Sequence, residues 1–350
     1  MAIHATTVED MYGQLHVKLA KVVPDYELRR KAELAVQINE LKKQRHAIIL
    51  GHNYMEPALF QSVADFTGDS LELCRRAAET DADIIVFCGV KFMAESAKII
   101  NPDKTVLLPS LEAGCSLAGS ITRADVRHLR ERLPGVPVVS YINTYADVKA
   151  ETDVCCTSGN AAKVVESFPG GPVFFLPDEY LARNVAHDMS REILFPEQYL
   201  EGDLSPHDLG NALLGWHGKC EVHELFTPQD VHDVRKQFDD VVVLAHPECP
   251  PEVIAEADFS GSTSAMIRHV KEATTGRFLL LTECSMGDNV IAENPGKDIL
   301  RLCSHRCPHM NQITLEDTLE ALQKQQFVID VPEPVRTQAR RSIERMLEIG

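Results

Sequence analysis

An apolar run from Val241 to Ala245 stops abruptly at His246-Pro247-Glu248-Cys249. An imidazole, a carboxylate and a thiol at the end of a buried strand can move protons, hold a ligand or bind a metal. Two other apolar runs also end in polar groups, one in His52-Asn53-Tyr54 and one in Tyr141-Ile142-Asn143. Behind each comes an aspartate and a patch of small residues: "ADFTGDS", "TDVCCTS" and "ADFSGSTS". Serine and threonine there cap a following helix, which is the plain reading of any single patch. A helix start also offers free N–H groups and a positive dipole end to an anion. Three starts, around Ser70, Ser158 and Thr263, suit one ligand or two that together carry three anionic groups, with Lys91 or Lys98 assisting.

The chain has ten cysteines, with no paired CxxC motifs and no HExxH, so a metal site must be assembled from distant segments. Three cysteines follow a second strand in turns marked by glycine or proline: Cys115 in "EAGCSLAG", Cys220 in "WHGKCEVHE" and Cys307 in "HRCPHMNQITLE". Such neighbours let the backbone bring each thiol to a shared point. Three thiolates can hold a [4Fe–4S] cluster and leave one iron open as a Lewis acid. Cys74 and Cys88 read as core, and the adjacent Cys155 and Cys156 as structural residues of a strand. Cys249 precedes two prolines, Cys284 is expected to line the site without binding metal, and Cys303 offers Cys307 a redox partner or the metal a fourth ligand. Cys220 and His223, spaced C-x-x-H, form half a zinc site with no second half evident.

Short Val/Ile/Leu-rich runs alternate with amphipathic stretches, which predicts βα units and parallel sheets. The expected strands are 47–51, 83–89, 136–141, 172–176, 241–245 and 277–282. First strands begin near Ile48, Val138 and Val242; the aspartates are Asp65, Asp153 and Asp258; second strands begin near Ile84, Val173 and Leu279. All three landmarks recur at spacings of about 90 and about 105, so the chain reads as a threefold repeat. The expected partition is 1–125, 126–225 and 226–330, with 331–350 a C-terminal helix packed on the domains. Ligands of such sheets sit beyond the carboxyl ends of the strands, so three domains can aim three clusters at one centre. A net charge of −17 argues against nucleic acid and anionic membranes. No apolar run reaches the length of a membrane span and the start has no signal-peptide core, so the expected location is the cytoplasm, where ten cysteines are not a disulfide framework.

"GHNYMEP", "GDSLEL", "VKFMAESAKIINPDK", "YINTYADVKAETDVCCTS", "HPEC", "ADFSGSTSAM" and "CPHMNQITLE" closely resemble the quinolinate synthase family, from about residue 45 to 325. The resemblance implies three pseudo-symmetric three-layer α/β/α domains, with short parallel sheets, around a central [4Fe–4S] cluster. It implies condensation of iminoaspartate with dihydroxyacetone phosphate to quinolinate, phosphate and water in de novo NAD synthesis. The two substrates carry two carboxylates and one phosphate, matching the three helix starts. The implied cluster ligands are Cys115, Cys220 and Cys307. The implied substrate-binding residues are His52, Ser70, Tyr141, Asn143, Ser158, His246, Glu248 and Thr263, with Tyr54 at the same strand end. The C-x-x-x-C run "CSHRC" departs from the CxxCxxC of some members, which puts a regulatory dithiol there in doubt.

Such a condensation moves protons on and off carbon and oxygen several times, so it needs positioned acids and bases. Glu248 is the expected proton carrier, with Tyr54, His52 and His246 assisting and Tyr141 and Asn143 orienting substrate. A transient contact with an aspartate-oxidising enzyme would supply the imine. Two other readings are another [4Fe–4S] hydro-lyase acting on a small carboxylic acid, and a non-catalytic binder of anionic metabolites.

Overall fold

The six apolar runs become the inner strands of three parallel sheets. The computed structural model describes residues 3–274 and 276–350. The first sheet holds β1 (Ala47–His52), β2 (Phe66–Gly68), β3 (Ile84–Cys88) and β4 (Thr105–Leu107), in the order β2-β1-β3-β4. The second holds β5 (Val138–Tyr141), β6 (Val154–Cys156), β7 (Val173–Leu176), β8 (Ile193–Leu194) and β9 (Leu213–Leu214), in the order β6-β5-β7-β9-β8. The third holds β10 (Val241–Ala245), β11 (Phe259–Ser260), β12 (Arg277–Leu281) and β13 (Asp298–Arg301), in the order β11-β10-β12-β13. Each sheet is therefore built on the same inner pair with the same short strand beside it. Helices flank the sheets, giving an α/β molecule of three similar lobes.

The repeated aspartates have a structural task. The Oδ2 atoms of Asp65, Asp153 and Asp258 accept from the N–H groups of Ile49, Val138 and Val243, all at 2.8 Å. The N–H of each aspartate returns a bond to the carbonyl of the same residue, at 2.9, 3.0 and 2.9 Å. Each aspartate thus ties the chain after the strand-end turn back to the first strand. Each also pairs with a cation from the helix before its strand: Lys42 at 2.7 Å, Arg130 at 2.9 Å and Arg235 at 3.1 Å.

The helices after the three expected ligand cysteines carry the chain to the next lobe. Val126 and Leu129 of helix Arg123–Arg132 pack with Val138 and Phe174 of the second sheet. Val231 of helix Pro228–Gln237 packs with Val241 and Val243 of the third. Helix Leu315–Lys324 packs on helix Asp25–Gln44 and on β3, which returns the chain to the first lobe. Helix Glu333–Ile349 then lies across β6 and the short helix Ala146–Lys149, burying Ala339, Ser342, Ile343 and Met346.

Candidate active site

The carboxyl ends of β1, β5 and β10 face one pocket. Its walls include His52, Tyr54, Ser70, Tyr141, Asn143, Ser158, His246, Glu248 and Thr263, together with Cys115, Cys220 and Cys307. All twelve residues singled out in the sequence are thus brought together from three lobes. The strand-end turns are compact because His52 and His246 fold their rings back. The Nδ1 of His52 accepts from the Tyr54 N–H at 3.2 Å, and that of His246 from the Glu248 N–H at 3.4 Å.

Glu248 is the hub. Its Oε1 accepts from the Tyr141 hydroxyl, and its Oε2 lies 2.7 Å from His223 Nδ1. The other ring nitrogen of His223 lies 3.0 Å from Thr282 Oγ1 and 3.4 Å from the Tyr54 hydroxyl, which is itself 2.6 Å from Thr282 Oγ1. The His223 ring stacks on His246 with centroids 4.6 Å apart, and Ser158 Oγ lies 3.3 Å from His246 Nε2. Glu248 is 4 % exposed. Burial alone would raise its pKa, but the adjacent His223, with the bonds from His223 and Tyr141, outweighs this and holds it low. Burial lowers His52 to about 4 and His246 to about 3, so both rings are neutral at neutral pH. At the heart of the pocket, then, is an ionised carboxylate held by a phenol and an imidazole, with neutral histidines around it.

Cys115, Cys220 and Cys307 differ from the other free cysteines in two ways. They are partly exposed, whereas Cys74, Cys88, Cys155, Cys156 and Cys249 are buried. The backbone N–H groups two and three positions further on also face each sulfur, those of Leu117 and Ala118, Val222 and His223, His309 and Met310, and that of Met310 donates to Cys307 Sγ at 3.5 Å. That arrangement repeats because each cysteine opens a short helical turn. Burial pushes the Cys115 thiol up to about 12 and Cys307 up to about 11, and raises Cys220 as well. Such thiols stay protonated until a metal displaces the proton, while the N–H groups wait to stabilise charge on sulfur. A donor set of three thiols in one pocket, with no fourth cysteine among the pocket walls, fits a [4Fe–4S] cluster with one open iron.

Several expectations are corrected. Lys91 and Lys98 do not line the pocket: Lys91 lies 4.0 Å from Glu95, and Lys98 donates to the carbonyls of Pro102 and Lys104. Among the described residues no lysine or arginine forms its wall, so an anion meets N–H and O–H groups instead. Ser70 and Thr263 are the first residues of ten-residue helices, whereas Ser158 lies in a turn before the six-residue helix Ala161–Glu166. The three segments do meet: Ser262 Oγ donates to Asp69 at 3.2 Å, and a side chain on Gly159 would touch Ser262. Cys284 is not in the wall. It is bonded to Cys303, because β12 and β13 are neighbours and their ends lie side by side. Cys303 is therefore the partner of Cys284 rather than of Cys307.

Of the wall residues that escaped the reading of the sequence, two stand out. His223 entered only as half of a zinc motif, but Cys220, His223 and Glu248 have ligand atoms within 4.8 Å of one another. Glu283 is the other: burial raises its carboxyl to about 7, and its Oε1 accepts from the Cys307 N–H at 3.4 Å. A spacing carries a signal for the cysteines themselves. Each of the three, and no other cysteine of the chain, is followed at the seventh position by a threonine and at the tenth by an aspartate. Those pairs, Thr122/Asp125, Thr227/Asp230 and Thr314/Asp317, cap the helices that lead to the next lobe.

Three parallel-sheet lobes that surround one pocket, each contributing one half-buried thiol, define a class of three-lobed α/β proteins built to share a central site. A family model described as Quinolinate synthetase A protein (NadA) matches residues 36–348. Quinolinate synthase 2 of Mesorhizobium japonicum is 48% identical over 344 residues, covering 98% of this chain and 100% of the relative. Quinolinate synthase of Agrobacterium fabrum is 49% identical over 337 residues, covering 96% and 92%. Quinolinate synthase of Xylella fastidiosa is 50% identical over 312 residues, covering 89% and 86%. The chain belongs to the quinolinate synthetase A family.

Proposed function

We propose that the chain condenses iminoaspartate with dihydroxyacetone phosphate to give quinolinate, phosphate and water for NAD synthesis. One observation carries the reading: a buried carboxylate, bonded to a phenol and an imidazole, and three thiols from three lobes share one pocket. Cys115, Cys220 and Cys307 hold a [4Fe–4S] cluster, which when bound supplies a Lewis-acidic iron that polarises a substrate oxygen. Glu248 accepts a proton from substrate carbon, and the Tyr141 and His223 donors steady it while it does so. Tyr54, linked to Glu248 through His223, lends a hydroxyl proton to a departing oxygen. His52 and His246, being neutral, serve as hydrogen-bond partners for substrate. Asn143, Ser70, Ser158 and Thr263 bind the carboxylates and the phosphate through amide and hydroxyl groups.

We take the lobes as 1–125, 126–225 and 226–330, the last lending its helix Leu315–Lys324 to the first, with 331–350 as a closing helix. Among the described residues no helix is long and apolar enough to cross a membrane. We place the chain in the reducing cytoplasm, next to an aspartate-oxidising enzyme that supplies the hydrolysable imine in a transient contact. The test is direct. Protein prepared without oxygen is analysed for iron and sulfide and then given both substrates. Quinolinate and phosphate released in equal amounts support the reading. A cluster without quinolinate points to a hydro-lyase, and absence of iron and sulfide points to a metabolite binder.

A further inference from the structure

The three strand-end turns are not closed in the same way. In the first lobe the Tyr54 N–H bonds to His52 Nδ1, and the Met55 N–H reaches the His52 carbonyl at 3.0 Å. The third lobe repeats this: the Glu248 N–H bonds to His246 Nδ1, and the Cys249 N–H reaches the His246 carbonyl at 2.9 Å. In the second lobe Tyr141 stands where the histidines stand, and a phenol has no ring nitrogen to accept a bond. The Thr144 N–H turns instead to the Ile142 carbonyl at 2.8 Å, and its hydroxyl rather than its N–H reaches the Tyr141 carbonyl, at 3.3 Å, so the backbone bond that closes the other two turns is absent among the described residues and a side chain takes its place.

Lys149 adds a brace that the other two turns do not have. Its side chain is fully buried, and Nζ donates to the carbonyls of Ile142, at 2.8 Å, and Thr144. Those carbonyls flank Asn143 on either side. Nζ also lies 5.3 Å from the ring centroid of Phe92, another wall of the pocket. The backbone carbonyl of Lys149 accepts from Ser342 of the closing helix at 3.1 Å, so the residue is fixed at both ends. Lys149 stands four residues before the landmark Asp153, and the corresponding positions before Asp65 and Asp258 hold Gln61 and Ile254. Burying an amino group costs free energy that an apolar side chain avoids, so packing alone does not account for a lysine here.

We infer that Lys149 is a positioning residue for Asn143: its two donated hydrogen bonds hold the Ile142-Asn143-Thr144 turn with the Asn143 amide facing the substrate. The inference rests on the proposed reading of Asn143 as substrate-binding. Wild-type conversion of the two substrates to quinolinate is therefore measured first, so failure of that reading appears as wild-type enzyme without product. The Lys149→Met holoenzyme then loses about tenfold or more in kcat/KM, divided between kcat and KM as in Asn143→Ala. The double variant stays within about twofold of Asn143→Ala, because the lysine acts through the asparagine. Lys149→Gln, whose amide keeps two donors, stays within about threefold of wild type. Independently of turnover, amide hydrogen exchange across 141–145 quickens by about tenfold in Lys149→Met. Any of four results overturns the inference: a further tenfold loss in the double variant, wild-type kinetics in Lys149→Met, a folded Lys149→Gln enzyme as impaired as Lys149→Met, or unchanged exchange. Failure of both lysine variants to fold while Asn143→Ala folds also overturns it, since the residue then serves the fold alone.

Discussion

Glu248 keeps its charge in a place where burial opposes it, and two bonded neighbours make the difference. Replacing it with glutamine preserves shape and removes the proposed base. Glu248→Gln is expected to retain iron and sulfide and to lose roughly 10²–10⁴-fold in turnover, measured as quinolinate formed per cluster. The buried histidines govern acid stability. An unfolded histidine takes a proton near 6.5, whereas folded His52 resists to about 4 and folded His246 to about 3. Between those values the unfolded chain binds more protons than the folded one, so acid favours unfolding. Their contribution is fully present above pH about 6.5 and is lost as the pH falls toward 4 and then 3. Urea midpoints are expected to fall from pH 7 to pH 4, and His246→Asn, which takes up no proton, should flatten that slope.

Among the elements, the aspartate ties bear most directly on stability. Removing Asp258 leaves the Val243 N–H without its partner and Arg235 without one of its carboxylates. Asp258→Ala is expected to cost about 1–3 kcal/mol in urea unfolding while leaving the cluster content unchanged. These aspartates also explain how much of the fold the sequence discloses. They recur at fixed spacing because each ties the same strand, so the three lobes and their six inner strands can be read from periodicity. The remaining strands β2, β4, β6, β8, β9, β11 and β13 have two to four residues each, too few to carry a period. The same division holds at the site. Strand-end residues such as His52 and Glu248 are legible because they interrupt apolar runs. His223 and Glu283 are not, because only tertiary packing brings them to the pocket. Lys149 looks like any surface lysine at the end of a helix until its burial is known.

For the whole molecule, the decisive feature is that one site draws on three lobes. Cys115→Ser, Cys220→Ser and Cys307→Ser are each expected to yield folded protein that purifies without oxygen yet lacks iron and sulfide. Cys249→Ser, whose thiol is buried and points to the Leu281 carbonyl, should retain both. The lobes are joined in a closed circuit, because helix Leu315–Lys324 comes back to helix Asp25–Gln44 and β3. That return has a bearing on biosynthesis. A nascent polypeptide emerging from the ribosome presents Cys115 first and Cys307 last, so the three-thiol cradle proposed for the cluster is incomplete until Cys307 has been made. Products that stop before Cys307 are therefore expected to lack the proposed cluster, measured as iron and sulfide.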